Sequence, residues 1–107
     1  VYVNKLNQFF PKGGSRESRL IYRLLICALI EARSCERFRV LSENLEDTEL
    51  SEFYHTLMIS EANHYTMFLK LARQYGDRAK VDTLWNSLLL FEADVMSTLG
   101  KDGLIHG

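Results

Sequence analysis

Glu61 and His64 are the residues whose types and spacing best suit metal binding; they form a Glu-x-x-His pair in the segment SEANHY. On a helix, residues three apart lie one turn apart on the same face, so this carboxylate and this imidazole point in the same direction. Both groups are ligands for iron and other transition metals. The pair lies within an apolar stripe, where a carboxylate is costly unless it is paired or bound to a metal. The spacing therefore predicts part of a metal site.

Glu31 is the third candidate ligand, because it too is a carboxylate on an apolar stripe. It precedes Glu61 by thirty residues, with a short acidic connection, Glu43 to Asp47, between them. If two helices pack antiparallel about a loop centred near Leu45, Glu31 and Glu61 lie about 21 and 24 Å along them at 1.5 Å per residue. The two carboxylates are therefore expected at similar depth in one site.

A structural alternative exists for the same residues. Glu61 could lie at the edge of its stripe, with His64 hydrogen-bonded to a backbone carbonyl. A rival carboxylate, Glu36, is better explained by an ion pair with Arg33 or Arg39.

Three further polar residues receive structural interpretations. His55 is off the Glu61 face and is expected on the surface or between helices. Glu92 has no His three residues later and is interpreted as a boundary carboxylate. The Cys35 thiol is expected to pack in the core, while Tyr54 and Tyr65 are candidate neighbours of the metal site.

The elements that must position these residues are helices. We predict a loop over residues 1–17, in which Ser15 is an N-cap, three helices within residues 18–99, and a tail over 100–107. The helices are expected at about Arg16 to Ser42, Thr48 to Tyr75 and Val81 to Leu99, with Gly76 as a C-cap. Each carries an apolar stripe at helical spacing; the first is Leu20, Leu24, Cys27, Ala28, Cys35 and Phe38. The fold class is all-α, with the two long helices packed antiparallel.

Composition is that of a globular domain. Of 107 residues, 47% are hydrophobic and 25% charged, and the net charge of −1 gives no overall basic field. The longest apolar run, Leu24 to Ile30, is too short to span a membrane. Cys27 and Cys35 lie about 12 Å apart on one helix, too far for a disulfide, so a cytoplasmic setting is expected. Because the chain begins at Val1 without a Met, we expect it to be part of a longer protein.

Two segments, ALIEARSCERFRVL from Ala28 to Leu41 and FYHTLMISEANHY from Phe53 to Tyr65, resemble the MiaE family of tRNA hydroxylases. These are ferritin-like non-haem di-iron monooxygenases. The similarity covers nearly all of the chain, as the C-terminal half of the family's catalytic domain. The resemblance implies a ferritin-like four-helix bundle to which this chain supplies the C-terminal helices.

The resemblance also implies an activity: hydroxylation of the isopentenyl group of 2-methylthio-N6-isopentenyladenosine in tRNA, with two irons, dioxygen and an electron donor. Glu31 takes the role of the lone Glu, and Glu61 and His64 take that of the Glu-x-x-His pair. The other lone Glu and the other pair are absent from this sequence. They are expected from a missing N-terminal half of the bundle or from a second copy of the chain.

A local basic cluster near the start of the first helix offers contacts to tRNA phosphates: Lys12, Arg16, Arg19 and Arg23. The alternative is a solvated helix start. Two other functions share the sequence features. One is ferritin-like iron oxidation or storage without a nucleic-acid substrate, and the other is a metal-free helical interaction domain.

Overall fold

The computed structural model of the protein describes residues 2–101 and their side chains as far as Leu99. This part consists of α1 (Tyr2–Asn7), α2 (Arg16–Asn44), α3 (Thr48–Tyr75) and α4 (Arg78–Lys101), and it contains no strand. The all-α prediction is confirmed, and the arrangement is consistent with a ferritin-like helical bundle. Within the described range, no helix combines the length and the apolar character that crossing a membrane requires.

The ends of the two long helices are fixed by side-chain caps. The Ser15 hydroxyl accepts a hydrogen bond from the backbone N–H of Ser18, which confirms the predicted N-cap of α2. At the start of α3, Asp47 Oδ1 accepts from the N–H of Leu50 at 3.0 Å. Such caps satisfy N–H groups that the first helical turn leaves unpaired. The connection between α2 and α3 is therefore only three residues long, from Leu45 to Asp47.

This short connection makes α2 and α3 an antiparallel hairpin. Residues at equal distances before and after position 46 lie opposite each other in it. Phe38 and Tyr54, each eight residues from that position, stack with ring centroids 5.9 Å apart. Further from the loop, the Cys35 thiol donates to the backbone carbonyl of Met58 at 3.5 Å. Because the register is kept, residues fifteen positions before and after position 46 are brought to the same level of the hairpin.

The main hydrophobic core lies at the end of the hairpin away from its loop, where α4 returns alongside α2. Its largest fully buried side chains are Leu6, Leu25, Leu29, Val81 and Leu88. A Cβ atom added at Gly76 would lie 2.7 Å from Cδ1 of Ile21, so the turn between α3 and α4 passes very close to α2. Trp85 of α4 packs against Tyr65 of α3, with ring centroids 5.8 Å apart. The core therefore joins all four described helices, and none of these helices covers another side of the hairpin.

Two predictions about the elements were wrong. The predicted loop over residues 1–17 contains helix α1, which is six residues long and buries Leu6 against the core. One and a half turns are too few for a periodic apolar stripe, so its stability comes from packing rather than from a local signal. The last helix begins at Arg78 and includes Lys101, whereas Val81 to Leu99 was predicted; the rest of the predicted tail, 102–107, lies outside the described residues.

The predicted apolar stripe of α2 was also wrong in part. Cys27 is exposed, and the buried residues of this helix are Ile21, Leu25, Ile26, Ala28 and Leu29. The spacing of apolar residues in α2 is compatible with burial of either of two faces. The face that is buried is the one against which α1 and α4 pack. Of the predicted stripe, Ala28 lies in the core, Leu24 packs against the core, and the Cys35 thiol contacts α3.

Candidate metal centre

Glu31, Glu61 and His64 converge in the middle of the α2–α3 hairpin. Each offers one ligand atom, and these atoms all lie within 4.8 Å of one another. Glu31 and Glu61 are each fifteen residues from position 46, so the hairpin register places them at the same level, and His64 follows one turn later on α3. The three residues predicted as ligands are therefore the three that the fold brings together.

The donor set fits a transition-metal ion. Carboxylate and imidazole ligands lie about 2.1 Å from a bound ion, so two ligands of one ion are at most about 4.2 Å apart. His64 Nδ1 and Glu31 Oε2 are 3.9 Å apart, which is within that limit but too long for a hydrogen bond. Side-chain adjustments of a few tenths of an ångström are enough to place all three donors around one ion.

Hydrogen bonding does not explain the cluster. Among residues 2–99, none of the three side chains takes part in a hydrogen bond. The alternative in which His64 bonds a backbone carbonyl therefore finds no support in this part of the chain. Two carboxylates and an imidazole whose ligand atoms lie this close together form a donor set that suits a cation.

The site is open to one side. The Glu31 side chain is 26% exposed and that of His64 is 49% exposed, although both lie near the centre of long helices. Arg33, which is rotated by about 200° from Glu31 around α2, contacts Glu92 of α4. Glu31 therefore points away from α4, toward the side of the hairpin that no described helix covers. An ion held here would have open positions for further ligands.

The rival polar residues lie elsewhere, as predicted. Arg33 Nη1 donates to Glu36 Oε1 at 2.9 Å, which confirms the ion-pair interpretation of Glu36. His55 is exposed and is not part of the cluster. Tyr54, which was predicted as a candidate neighbour of the metal site, stacks on Phe38 about two helical turns nearer the hairpin loop than Glu61. The Cys35 thiol is occupied by the Met58 carbonyl, in agreement with a packing role.

The interpretation of Glu92 as a boundary carboxylate was wrong. Glu92 is only 3% exposed and receives two hydrogen bonds from Arg33 Nε, at 2.9 and 2.7 Å, and another from Arg33 Nη2. The Tyr2 hydroxyl of α1 also donates to it. Neither partner is near Glu92 in sequence, so only the fold could show that this carboxylate is buried and paired.

The Glu92 network changes the proton affinity of its donors. The hydrogen bonds to Glu92 raise the pKa of the Arg33 guanidinium, against the effect of its burial. Burial, followed by the hydrogen bond to Glu92, raises the pKa of the Tyr2 phenol well above its ordinary value. Both groups therefore keep their protons at neutral pH, and the network ties α1, α2 and α4 together behind the metal cluster.

The predicted basic cluster lies apart from the metal ligands, at the start of α2. Lys12, Arg16, Arg19 and Arg23 are all exposed. The structure does not bring them to the Glu31, Glu61 and His64 cluster.

Comparison with known proteins shows a family relationship. A family model described as "tRNA-(MS[2]IO[6]A)-hydroxylase (MiaE)" matches residues 2–107. The chain belongs to the MiaE family. No solved structure matches it.

Two curated relatives resemble this MiaE-family chain, and both are named tRNA 2-(methylsulfanyl)-N(6)-isopentenyladenosine(37) hydroxylase. The protein of Pseudomonas putida strain KT2440 is 54% identical over 63 residues, which are 59% of this chain and 30% of the relative. The protein of Salmonella typhimurium strain LT2 is 53% identical over 55 residues, which are 51% of this chain and 20% of the relative. The matched stretches thus span less than a third of either relative.

Proposed function

We propose that this chain forms the C-terminal half of a di-iron tRNA hydroxylase. In this proposal the whole protein hydroxylates the isopentenyl group of 2-methylthio-N6-isopentenyladenosine in tRNA. The observation that carries the proposal is the convergence of Glu31, Glu61 and His64, with all three ligand atoms within 4.8 Å, in a chain of the MiaE family.

The number of donors defines what this chain contributes. Ferritin-like di-iron sites use two Glu-x-x-His pairs and two lone Glu residues, one group from each helix of the bundle. The α2–α3 hairpin provides one lone Glu and one pair, which is half of that set. The other half would approach from the open side of the hairpin, either from a further part of the protein or from a second copy.

Each residue of the cluster has a distinct role in this proposal. Glu31 and Glu61 would supply anionic oxygen ligands that balance the charge of the ions. His64 supplies a neutral nitrogen ligand on the same helical face as Glu61. When bound, the two irons would supply the dioxygen chemistry that places one oxygen atom into a C–H bond of the substrate. The electron donor would supply two electrons, which together with two protons from solvent reduce the second oxygen atom to water.

The rest of the chain holds this hairpin in shape. The Glu92 network and the core between α2 and α4 lie on the opposite side of α2 from Glu31, so they brace the site without occupying it. Free Cys27 and Cys35 agree with the reducing, cytoplasmic setting that belongs to this proposal.

Turnover on defined tRNA tests the proposal. The intact protein, loaded anaerobically with Fe(II), is given a reductant, dioxygen and tRNA that carries 2-methylthio-N6-isopentenyladenosine. Mass spectrometry of the nucleosides should then show one added oxygen atom. The Glu61→Gln variant should show none, whereas the Glu36→Gln variant, which removes a carboxylate outside the cluster, should retain activity.

Two results would contradict the proposal. Iron binding and oxidation without any nucleoside product would favour a ferritin-like iron protein that has no nucleic-acid substrate. Full activity of the Glu61→Gln variant would mean that the cluster is not the catalytic metal site.

A further inference from the structure

Charge is distributed very unevenly along the α2–α3 hairpin, although the whole chain is nearly neutral. Residues 1–30 contain five Lys or Arg residues and a single acidic residue, Glu17. By contrast, residues 43–52 at the hairpin loop contain five acidic residues and no Lys or Arg; they are Glu43, Glu46, Asp47, Glu49 and Glu52. The start of α2 and the segment before it are therefore rich in basic residues, and the hairpin loop is rich in acidic ones, with the metal cluster between them.

The side chains at the two ends are accessible. All five acidic residues of the loop are exposed, and so are Lys12, Arg16, Arg19 and Arg23, which we call the basic stripe. Elsewhere in the described chain, Arg33, Arg73 and Arg78 form ion pairs with carboxylates. Within the same residues, no member of the basic stripe forms such a pair. The stripe is thus a set of unneutralised cations.

The basic stripe lies at the start of the helix that carries Glu31. Arg16, Arg19 and Arg23 fall within about 60° of one another around α2, and they are rotated by about 60°, 120° and 80° from Glu31 at 100° per residue. Along the axis, Arg23 lies about 12 Å from Glu31 and Arg16 about 22 Å from it. The three arginines thus form an exposed strip on the helix that supplies a ligand, between the direction of Glu31 and that of Arg33.

Such a stripe fits a polyanion that extends beyond the metal site. Lys and Arg side chains bind successive phosphates of a nucleic acid and set its position, without reading its sequence. The acidic loop at the opposite end would repel the same backbone, since like charges at close range are unfavourable. Together, the two ends give a nucleic acid one favourable direction along the hairpin.

We propose that the basic stripe of Lys12, Arg16, Arg19 and Arg23 binds the RNA backbone of the substrate, while the acidic hairpin loop keeps the RNA from binding in the reverse direction. This inference rests on the proposed function and adds to it the surface and the orientation of RNA binding. The modified nucleoside then reaches the Glu31, Glu61 and His64 cluster from the side of the basic stripe.

Binding measured separately from turnover tests this inference. The probe is tRNA carrying 2-methylthio-N6-isopentenyladenosine, and its affinity for the intact protein is measured by fluorescence anisotropy across a range of salt concentrations. The test variant combines Arg16→Gln, Arg19→Gln and Arg23→Gln. The control variant combines Arg37→Gln, Arg39→Gln and Lys70→Gln, which removes three exposed cations outside the stripe. Iron content is measured for all three proteins.

The test variant should bind tRNA at least about tenfold more weakly, and the slope of log affinity against log salt should fall by about 2 to 3. Its iron content should equal that of the unmodified protein, and the control variant should keep most of the slope. In addition, the combination of Glu46→Gln and Glu49→Gln should lower discrimination between tRNA and unrelated RNA.

Three outcomes would overturn the inference. If the unmodified protein binds tRNA and the test variant binds equally well, the surface is wrong while the proposed function stands. If the stripe binds phosphatidylglycerol vesicles but its loss leaves tRNA binding intact, its partner is an anionic membrane. If the unmodified protein neither binds nor hydroxylates the tRNA, the proposed function fails together with the inference.

Discussion

Glu31 of α2 and His64 of α3 face each other across the hairpin, with Oε2 of the glutamate 3.9 Å from Nδ1 of the histidine. They are thirty-three residues apart in sequence, and the register set by the three-residue connection brings them together. The pair is too far apart for a hydrogen bond and well spaced for a shared metal ion. The register of the hairpin thus accounts for the spacing of two proposed metal ligands.

Removing a single ligand should weaken metal binding strongly. In the intact protein, His64→Ala or Glu31→Ala should lower the affinity for Fe(II) or Co(II) by more than about tenfold. Even substitution of a residue that only hydrogen-bonds a metal ligand lowers metal affinity about 10–100-fold. Anaerobic titration of Co(II) absorbance measures this. His55→Ala is the matched control, because it removes an exposed histidine of the same helix. An equal loss in both histidine variants would contradict the assignment.

Breaking the buried ion pair should destabilise the fold. Arg33→Met leaves the Glu92 carboxylate buried without its cation, which should lower the free energy of unfolding by about 2–3 kcal/mol. This loss is smaller than that for breaking a fully buried ion pair, because the Arg33 side chain is partly exposed. Urea denaturation measures the change.

Two related variants make the test of this ion pair specific. Glu36→Gln removes the exposed partner of the same arginine and should change stability by no more than about 0.5 kcal/mol. The double variant Arg33→Met with Glu92→Leu should recover part of the loss, because it leaves no buried charge behind. A large effect of Glu36→Gln, with none for Arg33→Met, would contradict the account.

The Tyr2 phenol should make stability depend on alkaline pH. Its folded-state pKa is raised above the ordinary value of 10.0, first by burial and then by the hydrogen bond to Glu92. The stabilising contribution is therefore complete below pH 10 and is lost as pH rises through the folded-state pKa. Tyr2→Phe should flatten the decrease in unfolding free energy above pH 10, whereas Tyr75→Phe, at an exposed position, should not. Identical pH profiles for the three proteins would refute this role.

The cap of α3 should stabilise the hairpin that carries the site. Asp47→Ala removes the acceptor for the Leu50 N–H and should cost about 1 kcal/mol of unfolding free energy. Asp47→Asn keeps a capping oxygen and should cost much less, although it removes the same negative charge. If Asn and Ala are equally destabilising, the loss comes from charge rather than from the cap. Urea denaturation distinguishes the two.

Local sequence patterns were sufficient for the long helices and for the convergence of Glu31, Glu61 and His64. The 3.6-residue period, Ser15 and Gly76 identified α2 and α3, and counting residues from the loop placed Glu31 level with Glu61. These predictions succeeded because a short connection between two long helices leaves very little freedom in register. The antiparallel hairpin is thus largely determined by its own sequence.

Predictions that depended on distant partners were wrong. Glu92 is buried because Arg33 and Tyr2 reach it from sequence separations of 59 and 90 residues. Helix α1 forms because Leu6 packs into a core made by other helices, and Cys27 is exposed because α4 covers a different side of α2. A pattern within one helix indicates that a face is apolar but does not determine which neighbour covers it.

Iron content per chain tests the central claim most directly. After anaerobic loading with Fe(II) and removal of excess metal, the intact protein should retain two irons per chain. The 107-residue chain alone, which offers three of the six donors, should retain almost none unless two copies pair, in which case it should retain two irons per dimer. Iron absent from the intact protein would contradict the di-iron account and leave a helical scaffold without a metal.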